Sequence, residues 1–487
     1  MRSEALWLAL GRGGNVLLSL LALRMMTTLL VPAEYAVLAI LTAFQSFAGL
    51  ILINPVGQYL NRYTHEWHDE GTLNARLVAL SRYWLVAGAV TGLFAIGWFA
   101  LVGQSDYAIL LMTGLGVGLT IFAMTQQGVA VNRLNMLGFR QQSVLWQLTA
   151  TAMGLSFSSL LTYVYPLALA WLVGQGAGAW LGYLGARRSF PQNVRAAQPD
   201  GATDLKEIVS RADFKAFCLP LALTTAFFWL EGNGYRFILE RAWQPELFAF
   251  FMLGMSLPAQ MSALLESFVM QLVYPYFFRA VAGRVGDERK QLAVASMVNA
   301  LWPTYVLWSA LVLLVAPYAL AIVADPKYHA AARWLWVGVL AELARLTGNA
   351  WQMTAQVEKD FGPLRKPFAL GALGTFGAAA CTAWLGLSPS AFAMLIVTAL
   401  MLKAMWIVRA MYVRMPFLIA YRRMMLAAGV LILMSSIAPV LPSAANALEA
   451  STYMALASVC AAIPLGLHVK TSPAFKHLFS YSLRGAS

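Results

Sequence analysis

Charge is what this chain has least of. Asp, Glu, Lys and Arg make up only 11% of its 487 residues, while hydrophobic residues make up 60%. A soluble domain carries roughly 25% charged residues, so this chain could not cover a water-facing surface, and lipid must be the solvent for much of it. Cysteine is scarce as well. Cys218, Cys381 and Cys460 lie far apart in apolar segments without CxxC spacing, which excludes a disulfide framework and leaves three small core residues. No Walker motif, nucleophile elbow or Ser/His/Asp arrangement occurs. His65 and His68 share a polar connection with no further histidine nearby, so no metal site is expected there. No cofactor is called for.

The excess of bases, +13 overall, has no basic domain to carry it, which excludes nucleic acid as a partner. The bases sit between apolar runs and report topology and lipid headgroups instead. A membrane span needs about 20 mostly apolar residues. Fourteen segments qualify, near 6–30, 35–60, 80–102, 107–130, 144–163, 166–186, 215–238, 246–273, 297–321, 331–354, 366–386, 390–412, 421–441 and 448–468. The first holds Arg12 and Arg24 and lacks a small-x-small cleavage site, so it reads as a retained helix rather than a signal peptide. Alternate connections gather the bases, among them Arg62 and Arg76, Arg187 and Arg188, Arg279 and Arg289, Arg365 and Lys366, and Arg422 and Arg423. The other set holds little beyond Arg241, Lys327 and Arg333. Both termini are therefore expected in the cytoplasm.

The fold class expected is all-α: a polytopic membrane protein of about fourteen helices, in two six-helix lobes plus a final pair. The longest connection separates an N-terminal lobe (1–190) from a C-terminal lobe (215–415), with 191–214 as a cytoplasmic linker and 416–487 as the last pair and tail. A weak internal repeat agrees. Arg24, Pro32, Glu34 and Asn54-Pro55 have counterparts in Arg236, Pro245, Glu246 and Tyr274-Pro275, and duplicated halves are common in transporters. Gly174, Gly178 and Gly182 fall on one helical face at GxxxGxxxG spacing, which predicts close helix packing. Prolines within spans, at Pro55, Pro220, Pro258, Pro275 and Pro303, predict bends.

A charge at membrane depth costs about 2.5–3.5 kcal/mol, so the informative residues are Arg12, which can snorkel to the cytoplasmic interface, Arg24, Glu231, Arg236, Glu266, Glu342, Arg345 and Lys403. Arg236 and Glu240, four residues apart, predict a surface pair. Glu342 and Arg345, three apart, predict another. Lys403 predicts an interhelical pair. Arg24 has no acid one turn away, so it needs a partner from another helix, a wet cavity or an anionic ligand. Glu231 lies in Trp229-Leu230-Glu231-Gly232-Asn233-Gly234-Tyr235, where two glycines loosen the helix.

The stretch from Leu21-Ala22-Leu23-Arg24 through Pro32-Ala33-Glu34-Tyr35 to Gly57-Gln58-Tyr59-Leu60-Asn61-Arg62 resembles the opening of the oligosaccharide (Wzx-type) flippase family. That family belongs to the multidrug/oligosaccharidyl-lipid/polysaccharide exporter superfamily. Tyr235-Arg236-Phe237-Ile238-Leu239, Tyr274-Pro275 and Asp325-Pro326-Lys327-Tyr328 resemble its later motifs. Ala36 stands where the family usually has glycine, and Asn233 and Gly234 stand where an aspartate is common. The resemblance implies a two-lobed flippase of the bacterial inner membrane. It would turn a polyprenyl-diphosphate oligosaccharide, such as an undecaprenyl-linked O-antigen or exopolysaccharide unit, to the outer leaflet by alternating access. It implies that Arg24 and Arg236 line a central cavity and meet the diphosphate, with Arg62 and Arg279 at its cytoplasmic mouth. Glu231, Asn233, Glu266 and Lys403 remain as coupling or cavity polar residues. Expected partners are membrane lipids and polymerase or export-machinery proteins.

Arginine suits phosphate through its planar fork, and Gln45, Asn54, Gln58, Gln126, Gln127, Gln260 and Trp229 could wall a saccharide. Lipid II flippase and multidrug exporter are the alternatives in the same superfamily. A membrane glycosyltransferase or polymerase would need a sizeable outer loop, and the outer connections are short, so no enzyme is expected.

Overall fold

The computed structural model describes residues 2–190, 205–210, 212–281, 286–442, 444 and 446–480, without side chains at 2–6, 8–10, 12, 206, 207, 479 and 480. Most of the 191–214 connection, including Arg195 and Arg211, and the side chain of Arg12 therefore lie outside the described residues. The described residues are helical almost throughout, with no strand among them. Hydrocarbon offers no hydrogen-bond partner, so a spanning backbone must satisfy itself.

The chain divides into two compact units, Met1–Glu246 and Leu247–Ser487. The N-terminal unit begins with α1 (Arg2–Leu29) and α2 (Pro32–Phe47); α2 runs through a π-helical turn (Ala48–Ile53) into α3 (Asn54–Asp69). Next come α4 (Leu73–Leu101), α5 (Tyr107–Met136), α6 (Arg140–Val164), α7 (Ala168–Arg188) and the short α8 (Leu205–Ser210). The unit closes with α9 (Ala212–Trp229), a second π-helical turn (Leu230–Gly234) and α10 (Tyr235–Ala242).

The C-terminal unit holds α11 (Pro245–Leu272), α12 (Tyr274–Ala280), α13 (Asp287–Val323), a 3₁₀ turn (Pro326–Trp334), α14 (Leu335–Trp351) and α15 (Met353–Glu358). It ends with α16 (Arg365–Leu385), α17 (Pro389–Arg414), α18 (Tyr421–Ile437), α19 (Ala447–Thr471) and α20 (Pro473–Ser480). All fourteen expected segments are helical. Among the described residues eleven helices are long and apolar enough to cross a bilayer, and the chain is a multi-pass membrane protein. The other three segments are α1, with an apolar stretch of only Gly13–Leu29, the glycine-rich α7, and α14 with a polar stripe.

The α7 glycines are backbone contacts. A Cβ on Gly174 would lie 2.3 Å from Ser158 N, on Gly178 2.1 Å from Gly154 N, and on Gly182 2.4 Å from Ala150 Cβ. The α6 and α7 backbones thus touch along one seam, as the spacing predicts. Glu34 caps the start of α7, where its Oε2 accepts the Ala168 N–H at 2.7 Å. Acceptors at a helix N-terminus satisfy donors the helix cannot.

Pro220, Pro258 and Pro303 sit inside helices, while Pro55 and Pro275 stand at the start of a new helical segment. Two expectations need correction. Cys381 and Cys460 are exposed and only Cys218 is buried; an apolar segment in a membrane chain has a lipid face as well as a core face. The Arg236–Glu240 pair does not form, as described below.

Candidate functional site

In the N-terminal unit, the two π-helical turns carry the local chemistry. A π turn inserts one residue and leaves carbonyls open to other donors. Leu50 stands five residues before Pro55, which has no N–H, and its carbonyl accepts from Thr225 Oγ1 at 2.7 Å. The Leu52 carbonyl accepts from Tyr83 Oη at 2.9 Å. Further along α9, Trp229 Nε1 donates to the Ala43 carbonyl at 2.9 Å, and Arg236 Nη1 donates to the Ala39 carbonyl at 3.4 Å. Residues 39 and 43 are one turn apart on α2, so the bend in the seventh span is stitched to α2 at two levels.

That stitching positions Arg236. Its Nε is buried and has no hydrogen-bond partner among the described residues, and the Oε2 of Glu240 is in the same condition. Helical spacing places the two side chains on one face, yet each polar head points elsewhere. An unfilled buried donor costs about 1–3 kcal/mol, a cost that binding an anion would recover. The next residue, Phe237, stands among aromatic side chains. Trp98 and Phe44 meet Phe237 edge-on with centroids 4.9 and 5.1 Å away, and Phe47 meets Trp229 at 5.3 Å. Together with Phe94 they line a cavity of about 400 Å³. Trp98 Nε1 is another buried donor without a partner.

Of the other predicted residues in this unit, Asn233 is 8% exposed and Glu231 is half-buried, both within the second π turn. Arg24 is exposed on α1, where its carbonyl accepts from the hydroxyls of Thr27 and Thr28. Arg62 is exposed on α3, 5.9 Å from the Tyr63 ring centroid. It continues a polar face formed by Asn54, Gln58 and Asn61. Gln58 Nε2 donates to Asn54 Oδ1 at 3.2 Å, and Asn132 Nδ2 donates to Asn61 Oδ1 at 2.8 Å. The opposite face of α3 buries Val56, Tyr59 and Leu60. Hydrocarbon does not accept such a polar stripe, which belongs against water or protein.

The C-terminal unit is arranged differently. Arg345 on α14 gives Nε and Nη2 to Glu342 Oε2 at 2.9 and 2.6 Å, as the spacing predicts. It also gives Nη1 to Glu266 Oε2 on α11 at 2.7 Å, and Asn349 Nδ2 donates to Glu266 Oε1 at 2.6 Å. Gln352 Nε2 in turn reaches Asn349 Oδ1 at 3.2 Å. Glu266 is thus a member of a charge cluster with two carboxylates and one guanidinium. Glu342, Arg345, Asn349 and Gln352 recur at steps of three, four and three residues, which is one helical face, so this stripe is legible in the sequence. The opposition of Glu266 is not. Lys403 on α17 is 6% exposed, with Nζ 5.3 Å from the Phe368 ring centroid. Arg279 is exposed near the end of α12.

This architecture is that of a multi-pass membrane protein with charged groups inside its spans. The structure is similar to the lipid II flippase MurJ in its inward closed conformation, with a TM-score of 0.58 and 10% identity, over 96% of this chain and 99% of that one. It is also similar to the eukaryotic MATE transporter AtDTX14, with a TM-score of 0.54 and 13% identity, over 88% of this chain and 99% of that one. No protein-family model and no curated protein matches the sequence.

Proposed function

We propose that the chain is a flippase that carries a polyprenyl-diphosphate-linked saccharide from the cytoplasmic to the outer leaflet by alternating access. The observation that carries this reading is the buried Arg236 Nε without an acceptor. A diphosphate offers such acceptors, and charge-assisted contacts to guanidinium are the strong ones. The aromatic side chains around Phe237 and the amides of α3 suit sugar rings and hydroxyls, while Arg24 and Arg62 supply further positive charge. In this reading the lobes 1–190 and 215–415 exchange access to the two sides, with 191–214 as linker and 416–487 accompanying the second lobe. The similarity to a lipid II flippase supports the same ligand chemistry, because lipid II is itself a diphosphate-linked saccharide.

Glu266 is the coupling residue in this scheme. The cluster around Arg345 carries one carboxylate more than its guanidinium neutralises, so uptake of one proton or monovalent cation brings it to neutrality. The same excess favours a second reading, a cation exporter of the multidrug type. The experiment that separates them reconstitutes the protein in vesicles and follows both a labelled polyprenyl-diphosphate oligosaccharide and a lipophilic cation. Flipping of the diphosphate lipid, lost in Arg236→Gln, is expected. Cation efflux that survives Arg236→Gln but not Glu266→Gln would replace the flippase reading with the second.

A further inference from the structure

Outside this chemistry, the last helices of the C-terminal unit form a cleft. Both α18 and α19 pack on α13, but they hardly touch each other. The buried residues of α18 are confined to Ala427, and those of α19 to Ala450, Ala461 and His468. The gap left between them is a cleft of about 570 Å³, with Leu307 of α13 at its floor and Leu426, Val430, Pro464 and Leu467 as walls. One end is polar and basic. Arg422 and Arg423 line it beside Tyr421 and Thr471. Arg423 gives Nη2 to the Thr471 carbonyl at 2.8 Å and Nη1 to its hydroxyl at 3.4 Å, which leaves three of the five guanidinium donors over. Asn299 fixes this end by accepting from the Ala420 N–H at 2.8 Å and donating to the Leu418 carbonyl at 2.8 Å. A second cavity of about 890 Å³ shares Ala420 and Arg423 with the cleft and adds Gln291, Asn299 and His477. The second cavity adjoins the cleft at those two residues and has Glu288 in its lining; the cleft itself is a space apolar along the helices and basic at its mouth.

We infer that this space is a binding site for an anionic two-chain glycerophospholipid, with acyl carbons between α18 and α19 and the phosphodiester at Arg422 and Arg423. Charge complementarity selects the occupant: basic pockets between membrane helices bind anionic headgroups, and an apolar cleft at membrane depth fills with acyl chain. A free phosphate would satisfy the mouth but leave the walls empty. The basic end is the one that the loop charges assign to the cytoplasmic leaflet. This inference does not depend on the transported substrate.

The test uses the full chain, purified in detergent and stripped of lipid. Phosphatidylglycerol is expected to raise Tm by about 2–4 °C above phosphatidylcholine at equal concentration and to remain bound in native mass spectra. Arg422→Gln/Arg423→Gln should abolish that difference while keeping the Tm measured in phosphatidylcholine, and Arg422→Lys/Arg423→Lys should restore most of it. Leu426→Trp, which fills the cleft without touching charge, should lower retention of phosphatidylglycerol. Equal effects of the two phospholipids, protection by inorganic phosphate alone, or preferential retention of polyprenyl phosphate would each overturn the assignment.

Discussion

The two units treat their half-buried arginines in opposite ways. In the C-terminal unit Arg345 has Nε, Nη1 and Nη2 each engaged by a carboxylate, and the opposing Glu266 is held by Asn349. In the N-terminal unit Arg236 has one long bond to a carbonyl and a buried Nε with nothing to meet. A satisfied guanidinium holds helices in place; an unsatisfied one is open to an anion. Under the proposed function, the difference separates structural charge from ligand-binding charge inside one membrane protein.

Substitutions should separate these roles. The largest effect on transport is expected from Arg236→Gln, which should slow flipping of a polyprenyl-diphosphate oligosaccharide by about 10- to 100-fold; the unfolding midpoint should move little, because loss of the long bond to the Ala39 carbonyl is offset by removal of the unfilled Nε. Arg236→Lys should fall between, because an ammonium lacks the planar fork. Arg345→Gln should do the reverse and cost about 1–3 kcal/mol of stability, since it strands two carboxylates that are only partly screened; thermal unfolding in detergent reads it. A Glu266→Gln variant removes the excess charge, so its transport should lose the dependence on a proton or cation gradient while folding is kept. Trp229→Phe retains the ring packing but gives up the bond to the Ala43 carbonyl, and should cost about 1 kcal/mol.

The smallest effect is one of pH. Arg414 binds Glu358 and Asp360 at 2.9 and 2.8 Å at the end of α17. The Gly362 N–H, and then Arg414, hold the Asp360 carboxyl below its usual range. A carboxyl lowered on folding contributes stability above its ordinary range and loses it as pH falls through the lowered one. Acidification below about pH 4 should therefore loosen this clamp, and Asp360→Asn should flatten that part of the stability profile.

Much of this was legible in the sequence, for physical reasons. Span positions follow from the solvent: twenty apolar residues in a row have no alternative to lipid, and all fourteen segments are helices. The α7 glycines announced a backbone contact because their spacing is that of one helical face. Glu342 and Arg345 paired as expected because their geometry is local. Longer-range facts were not legible. Nothing in the spacing puts Glu266 of α11 against Arg345, and nothing says that Glu240 fails to meet Arg236. Helical spacing fixes where side chains begin, while tertiary packing decides where their heads end. The π turn at Gly232 and Gly234 was foreshadowed by the two glycines. Its counterpart at Ala48–Ile53 has only Asn54-Pro55 to mark it.

The most direct measurement is the ¹⁵N resonance of the Arg236 Nε, followed in the purified protein while a polyprenyl diphosphate is added. The resonance should shift with saturation as the donor gains a charged acceptor, and should stay in place when the uncharged polyprenol is added. No shift with the diphosphate, or an equal shift with both lipids, would contradict the view that this guanidinium is kept open for an anion.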